Sequence, residues 1–212
     1  MIVANVMKRN PLYVNPNTSV NEASALMKKE GVSKLPVLDK HDKLVGLITK
    51  KDLDRAAPSS ATSLDVYEIS YLLSKLKVEQ VMEKKVFTVE QSEVVEEAAR
   101  IMADETVSCL PVMKGDLLVG IVTVKDLFYV FIDMFGARHE GVRVTATLDE
   151  KPGQLARLSA HLTTMGGNIV SLATFEGDSL GQRRITCKIS GLSCEHVKKA
   201  IELSCIKVED IR

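Results

Sequence analysis

Apolar residues between positions 20 and 29 recur every three or four residues, which predicts an amphipathic helix. Ser19 and Glu22 match the capping box that begins a helix, because each side chain can pair with the other residue's backbone N–H. Gly31 is a natural end, since glycine accepts the left-handed conformation that closes many helices. The face that this helix would bury carries Val20, Ala23, Leu26 and Met27.

Two apolar runs follow at 35–38 and 44–49, and the polar segment between them predicts a β-hairpin. This order of elements occurs twice. Shifted by 75 residues, positions 6–37 match the later chain with 13 identities in 32 positions, and shifted by 74, positions 44–53 match with 7 in 10. Chance would supply about three identities over both stretches. Each copy therefore contains a short strand, a helix, two strands and a second helix, and we expect the copies to pack against each other.

From about residue 140 the pattern changes to an unrelated arrangement. Positions 142–148 alternate apolar and polar residues, which predicts a half-buried strand. Pro152 suits the first turn of a following helix, which Gly166-Gly167 would end. The apolar side of that helix would carry Leu155, Leu158 and Leu162. Strands near 168–176, 183–190 and 206–211 and a helix from 193 complete the split βαββαβ pattern.

Composition places the chain among ordinary folded proteins. Hydrophobic residues make up 45% and charged residues 26% of its 212 residues, which excludes a disordered chain. The 28 basic and 28 acidic side chains cancel and Trp is absent, so neither a nucleic acid nor a membrane is expected as a partner. The four cysteines lack CxxC spacing and no signal peptide is evident, which favours reduced thiols and a cytoplasmic location.

Two short motifs occur in both copies of the duplication. Positions 32–37 and 107–112 share V-S-x-L-P-V, and positions 46–53 and 120–127 share G-[LI]-[IV]-T-x-K-D-L. These segments resemble the CBS motif, the nucleotide-sensing module named after cystathionine β-synthase. Two such motifs in tandem imply a CBS pair, whose cleft binds adenine nucleotides in many members of the family.

The last third resembles an ACT domain, a ferredoxin-like module that often binds amino acids. The match rests on Asp149-x-x-Pro152-Gly153-x-Leu155 and Gly166-Gly167-Asn168-Ile169. The order CBS–CBS–ACT, with APSS inserted at 57–60, is similar to the acetoin-utilisation family of AcuB and its relatives. This resemblance implies an α+β fold, in which two CBS motifs of β-α-β-β-α order pack as a pair before a ferredoxin-like βαββαβ ACT domain. The expected divisions are CBS motif 1 at 1–56, a linker with a helix at 57–77, CBS motif 2 at 78–136 and the ACT domain at 140–212.

A threonine and, three residues later, an aspartate follow each hairpin: Thr49 with Asp52, and Thr123 with Asp126. Free N–H groups at a helix N-terminus suit a phosphate, and an ionised carboxylate accepts both protons of a ribose diol. The simpler explanation is that these residues only cap the next helix. Both roles stay open, because capping and binding can coexist.

The resemblance to the CBS motif further implies that the adenine ring of the ligand lies against the backbone of the V-S-x-L-P segments. The nucleotide-binding residues expected from the motif and the corners together are Thr18, Val32, Ser33, Lys34, Leu35, Pro36, Thr49, Lys51 and Asp52 in the first copy, and Val107, Ser108, Cys109, Leu110, Pro111, Thr123, Lys125 and Asp126 in the second.

The two copies differ in charge at aligned positions. Thr18 aligns with Glu93, and Lys34 aligns with Cys109. A carboxylate near an anionic ligand is unfavourable. We therefore expect tighter nucleotide binding at the first copy.

For the ACT block, the resemblance implies an amino-acid ligand between a strand–helix turn and the start of the next strand, often at a subunit interface. Gly153 would let a ligand approach the backbone closely. The alternative is that these glycines only form turns, which a ferredoxin-like domain needs with or without a ligand. The expected contacts are Asp149, Gly153, Gln154, Asn168 and Ile169.

Two segments, at 127–135 and 64–76, are strongly apolar. As a helix the first is apolar on all sides, which predicts burial on more than one side, either between the CBS pair and the ACT block or in a dimer interface. Apolar patches of that size are uncommon on monomers. We therefore predict a homodimer.

No string typical of a serine hydrolase, a zinc protease or a P-loop occurs in the sequence. The sequence predicts a non-catalytic regulatory protein that requires no cofactor or metal. Its ligand would be an adenine nucleotide such as AMP, ADP, ATP or S-adenosylmethionine, and it would act on an unidentified downstream protein. A structural or interaction module with vestigial pockets, or an accessory protein of acetoin utilisation, is the alternative.

Overall fold

The structure, a computed structural model, describes residues 1–56 and 65–212 and divides the chain into two units, Met1–Leu127 and Phe128–Arg212. The APSS insertion at 57–60 and Leu64 lie outside the described residues.

Both copies of the duplication contain the predicted order of elements. The first copy and the segment after it comprise a 3-10 turn (Val3–Asn5), β1 (Lys8–Arg9), α1 (Val20–Glu30), β2 (Lys34–Leu38), β3 (Leu44–Thr49), α2 (Lys50–Ala56) and α3 (Val66–Lys75). The second copy comprises α4 (Val78–Val81), β4 (Val89–Glu90), α5 (Val95–Asp104), β5 (Cys109–Lys114), β6 (Leu117–Thr123) and α6 (Val124–Met134).

Helix α1 begins and ends where its capping residues predict. The Ser19 hydroxyl accepts the Glu22 N–H at 3.2 Å, and the Glu22 carboxylate accepts the Ser19 N–H at 2.8 Å. Gly31 follows the helix with a φ of 64°, a conformation that glycine adopts without steric strain. The predicted helix is confirmed and runs one residue further, to Glu30.

The two predicted hairpins are also confirmed. Strand β2 pairs antiparallel with β3 and places Lys34 opposite Thr49, and β5 pairs with β6 and places Cys109 opposite Thr123. One face of each hairpin packs on the helices of its own copy. The fully buried residues on these faces are Leu35, Val37 and Ile48 in the first copy and Leu110, Val112 and Val122 in the second.

The segment that precedes each copy packs on the sheet of the other copy. Strand β1 pairs with β6, and Met7 lies so close to Gly120 that any Cβ there would overlap its sulfur. The equivalent Met82 covers Gly46 in the same way. The two copies are therefore interlocked by exchanged segments, which explains why each strand carries a glycine at that point.

The second unit has the ferredoxin-like topology that the last third predicts. Its elements are β7 (Val142–Asp149), α7 (Gln154–Thr164), β8 (Asn168–Glu176), β9 (Gln182–Ser190), α8 (Cys194–Glu202) and β10 (Lys207–Ile211). The antiparallel sheet has the order β10-β7-β9-β8, and both helices bury residues in the core on one face of it.

Two details of α7 differ from the prediction. The helix begins at Gln154, so Pro152 lies in the preceding turn and not in the first helical turn. Leu158 and Leu162 are buried, but Leu155 is 39% exposed. The reason is that Leu155 lies in the first turn of the helix, where the core that covers the later leucines does not reach it.

The apolar segment at 127–135 has an exposed side in the single chain. Phe128, Phe131 and Met134 of α6 are between 59% and 64% exposed. Leu127, Val130, Ile132 and Phe135 are partly buried, and Phe135 stacks on Phe175 with ring centroids 6.3 Å apart. The predicted linker helix is present as α3, and its Tyr67 and Tyr71 are likewise exposed.

No helix within the described ranges has both the length and the apolar character needed to cross a lipid bilayer.

Candidate functional site

The repeated threonine and aspartate form a capping box in the first copy. The Asp52 carboxylate accepts the Thr49 N–H at 2.9 Å and the Thr49 hydroxyl at 2.6 Å, both through Oδ2. The Asp52 N–H in turn donates to the Thr49 hydroxyl oxygen at 3.3 Å. The capping role considered for these residues is therefore real, and it holds the carboxylate in one orientation.

The second copy repeats this corner with nearly the same geometry. Oδ2 of Asp126 accepts the Thr123 N–H at 2.8 Å and the Thr123 hydroxyl at 2.7 Å. All four residues are partly exposed. Two corners that are 74 residues apart in sequence thus present the same pair of groups.

The V-S-x-L-P segments lie directly beside these corners. The Lys50 N–H donates to the Ser33 carbonyl at 2.8 Å, and the Val124 N–H donates to the Ser108 carbonyl at 3.2 Å. The fold therefore brings Val32–Leu35 to Thr49 and Val107–Leu110 to Thr123, as the candidate site requires. These bonds use the first backbone N–H group of α2 and of α6. Fewer free N–H groups therefore remain at each helix N-terminus to bind a phosphate than the sequence suggests.

The register of the hairpins decides which further candidates share a face with each corner. Side chains alternate along a strand, so residues opposite each other point to the same side. Lys34 and Thr49 form one such pair, and Cys109 and Thr123 form the other. Each corner thus lies on the face of its hairpin that is turned away from its own helical core.

Thr18 lies in a local turn before α1. Four residues before it, Val14 pairs with Val37, which lies near the end of β2 that is remote from Lys34. The Thr18 hydroxyl accepts the Asn15 N–H at 3.1 Å and thus closes a local turn. The distance along β2 from this end to Lys34 is about 10–13 Å at ordinary strand rise.

Glu93 precedes α5 in the same way. It follows β4, whose Glu90 pairs with Met113 at the far end of β5 from Cys109. Glu93, the residue that aligns with Thr18, therefore lies near the other end of the hairpin from Thr123.

Sequence reasoning missed residues that the exchanged segments bring to the corners. Glu83 pairs with Leu47, two positions before Thr49. Lys8 pairs with Ile121, two positions before Thr123. The sequence shows these segments only through the repeated pair Val-Met at 6–7 and 81–82. That repeat does not indicate which copy each segment packs against.

A cavity of about 380 Å³ opens at the other end of β3 from the first corner. None of the predicted nucleotide-binding residues lines it. Its lining includes Lys43, Val45, Lys84, Thr88, Glu90 and Asp116.

In the described part of the chain, no group of three or more His, Cys, Asp or Glu side chains could hold a metal ion.

The candidate amino-acid residues of the second unit fall into two separated groups. Asp149 pairs with Gln182 at one end of β9, whereas Asn168 pairs with Ser190 at the other end. Eight strand positions at about 3.3 Å each separate these ends. Gly153 and Gln154 lie with Asp149, since α7 begins there and runs towards Asn168. A single chain therefore does not join the two groups into one pocket.

Family models match both units. The CBS domain matches residues 3–59 and 78–133, and the TTHA0829-like ACT domain matches residues 140–212.

Three solved structures share the fold of the first unit. The CBS domain pair of protein MJ0100, in complex with 5′-methylthioadenosine and S-adenosyl-L-methionine, is 28% identical with a TM-score of 0.53, covering 66% of this chain and 98% of that one. A putative acetoin utilization protein (AcuB) from Vibrio cholerae gives the same four values. CBSX2 in complex with AMP is 30% identical with a TM-score of 0.50, covering 62% of this chain and 96% of that one.

Curated relatives are larger proteins. An inosine-5'-monophosphate dehydrogenase of Korarchaeum cryptofilum is 30% identical over 173 residues, which is 81% of this chain and 33% of the relative. The L-aspartate semialdehyde sulfurtransferase of Methanocaldococcus jannaschii is 29% identical over 131 residues, 61% of this chain and 23% of the relative. The chain therefore spans a quarter to a third of the length of these relatives.

Proposed function

The chain belongs to the CBS-domain family and ends in an ACT-like domain, and we propose that it is a non-catalytic cytoplasmic sensor whose CBS pair binds an adenine nucleotide. CBS and ACT domains are regulatory modules. The similar CBS pairs hold AMP, S-adenosylmethionine or 5′-methylthioadenosine, all of which contain adenosine. The shared adenosine is the part of the ligand that two identical corners can recognise.

The duplicated Thr–Asp corner carries this proposal. In each copy both hydrogen bonds from the threonine fall on Oδ2, which orients the carboxylate before any ligand arrives. A group that is already ordered loses little side-chain entropy on binding. Oδ1 would then accept the ribose hydroxyl protons, while the adjacent V-S-x-L-P backbone would line the adenine.

Calorimetric titration of Asp52→Asn and Asp126→Asn tests the corners. The asparagine oxygen can still accept the threonine bonds and preserve the cap, but its amide nitrogen donates where a ribose acceptor is needed. We expect each change to weaken adenosine-ligand binding at its own corner by about tenfold, the usual worth of one hydrogen bond to a charged group. The larger loss is expected for Asp52→Asn, because the charged Lys34 lies opposite Thr49 whereas the uncharged Cys109 lies opposite Thr123. Equal losses would contradict this order.

Thermal unfolding with AMP, ADP, ATP and S-adenosylmethionine separates the sensor from its rival. A ligand that binds only the folded state raises Tm by mass action. We expect at least one of these ligands at millimolar concentration to raise Tm. If none does, the chain is better explained as an interaction module with vestigial pockets.

The ACT-like domain is proposed to bind an amino acid between two copies of the chain. A second copy would bring Asn168 and Ile169 towards the Asp149 turn, which a single sheet holds apart. It would also cover the exposed Phe128 and Phe131, since apolar surface of this kind is uncommon on monomers. Light scattering at micromolar concentration should give twice 23.3 kDa, and a mass of 23.3 kDa would refute the dimer.

A further inference from the structure

The cavity of about 380 Å³ at the far end of β3 lies between the two copies of the duplication. One wall is formed by the start of β3 and by the exchanged segment that runs beside it, since Glu83 pairs with Leu47. The other wall is formed by β4, by the end of β5 and by the turn before β6. Val45 lines the cavity and is four positions from Thr49, about 13 Å at ordinary strand rise. The cavity is therefore separate from the Thr–Asp corner of the same strand.

The two walls carry opposite charges. Lys43 directly precedes β3 and Lys84 lies in the exchanged segment, and these two residues make the first wall basic. Glu90 of β4 and Asp116 of the turn between β5 and β6 make the second wall acidic. The rest of the lining is mainly apolar and includes Leu44, Val45, Val86 and Met113. A ligand in this cavity would meet cations on one side, carboxylates on the other and apolar side chains elsewhere.

The charges of the two walls do not pair with each other. Within residues 1–56 and 65–212, neither lysine of the basic wall forms an ion pair with a carboxylate of the acidic wall. Over the same residues, the side chains of Lys84, Glu90 and Asp116 make no hydrogen bond. A ligand that carries both charges would satisfy both walls at once, because each of its ends would meet a group of opposite charge.

The equivalent end of the other hairpin does not carry these charges. At the offsets of the duplication, Lys43 aligns with Leu117 and Glu90 aligns with Asn15, and neither counterpart is charged. The Asn15 amide donates to the Leu38 carbonyl at 3.0 Å, so its polar group is already used within its own copy. The fold therefore does not require a lysine and a glutamate at these two positions.

We propose that this cavity binds a zwitterion of dipeptide size, whose carboxylate meets the basic wall and whose ammonium group meets the acidic wall. A cavity of about 380 Å³ is about 7 Å across if its dimensions are equal, and it falls within the usual size of small-molecule sites. Two extended residues also span about 7 Å, so the terminal charges of a dipeptide can reach both walls. A free α-amino acid holds both charges on one carbon and cannot do so. The apolar lining favours a dipeptide with apolar side chains.

Calorimetric titration of the full chain with four probes tests this site. L-leucyl-L-leucine carries both terminal charges, its N-acetyl derivative lacks the ammonium group, its amide lacks the carboxylate, and free leucine carries both charges on one carbon. Lys84→Met removes a cation and Glu90→Gln removes a carboxylate, and both residues are exposed, so both variants should fold. Arg9→Met is the matched control, because Arg9 is the repeat equivalent of Lys84 and donates to the Ala4 carbonyl.

We expect the unmodified chain to bind L-leucyl-L-leucine about tenfold more tightly than the other three probes, since each of these loses a charge-assisted contact. Lys84→Met should weaken L-leucyl-L-leucine by about tenfold and leave the amide unchanged, because the amide has no carboxylate to lose a contact. Glu90→Gln should likewise weaken L-leucyl-L-leucine and leave the N-acetyl derivative unchanged. Arg9→Met should bind all four probes as the unmodified chain does.

Three results would overturn the inference: no binding of L-leucyl-L-leucine at about 10 mM, equal affinity for all four probes, or an equal loss in Arg9→Met and Lys84→Met. Binding that is unchanged in both Lys84→Met and Glu90→Gln would place the dipeptide elsewhere in the chain and would overturn it as well. No nucleotide is present in these titrations, so their outcome is independent of the proposed nucleotide binding.

Discussion

The exchanged segments make a quantitative prediction about Gly46. A methyl group at this position would overlap the sulfur of Met82 and stand 3.0 Å from its Cγ, with no backbone atom among the nearest contacts. Overpacking by one methyl costs about 1–3 kcal/mol, whereas replacing glycine by alanine returns about 0.4–1 kcal/mol through the unfolded state. We expect Gly46→Ala to lower the free energy of unfolding by about 1 kcal/mol.

Met82→Ala removes the side chain that causes the overlap. Because Met82 is only partly buried, we expect a loss at the lower end for a core methionine, about 2 kcal/mol. In the double variant the new methyl group occupies space that the methionine has left. The loss of the double variant should therefore be smaller than the summed single losses by about 1 kcal/mol.

Urea unfolding of the four proteins measures this coupling through the transition midpoint and slope. Gly46→Ala combined with Met7→Ala is the matched control, since Met7 lies on Gly120 and not on Gly46. In this control, the losses in free energy of unfolding caused by Gly46→Ala and Met7→Ala should be additive. If the Gly46 and Met82 losses also add to within about 0.3 kcal/mol, Met82 does not cover Gly46, and the exchange of segments is refuted.

Two other groups give predictions through their ionisation. Backbone and side-chain hydrogen bonds from Ser19 hold the pKa of Glu22 below its usual value, so this carboxylate stabilises the fold above about pH 4.5 and loses that effect as pH falls further. Glu22→Gln should therefore lower Tm at pH 7 more than at pH 3, and an equal effect at both would contradict the cap. Burial raises the pKa of Cys187 to about 12, whereas Cys194 is exposed. A thiol reagent at pH 8 should modify Cys194 rapidly and Cys187 only in urea, and Cys194→Ser should remove the rapid phase.

The local elements were predictable because each depends on residues a few positions apart. Helix α1 needs only a periodic apolar face, the Ser19–Glu22 box and Gly31, all within 13 residues. The capping role of Thr49 and Asp52 is local for the same reason. The exposed α6 was not predictable, because an apolar helix has the same sequence whether its own chain or another copy covers it.

The sequence by itself determined the duplication, the hairpins, the ferredoxin-like unit and the two Thr–Asp corners. The tertiary structure decided which copy receives Met7 and Met82, since two similar repeats offer nearly the same partner strand within or across copies. It also decided the register of each hairpin, which places Lys34 opposite Thr49 and Cys109 opposite Thr123. These outcomes depend on strand register and on contacts between residues far apart in the chain, which no local pattern encodes.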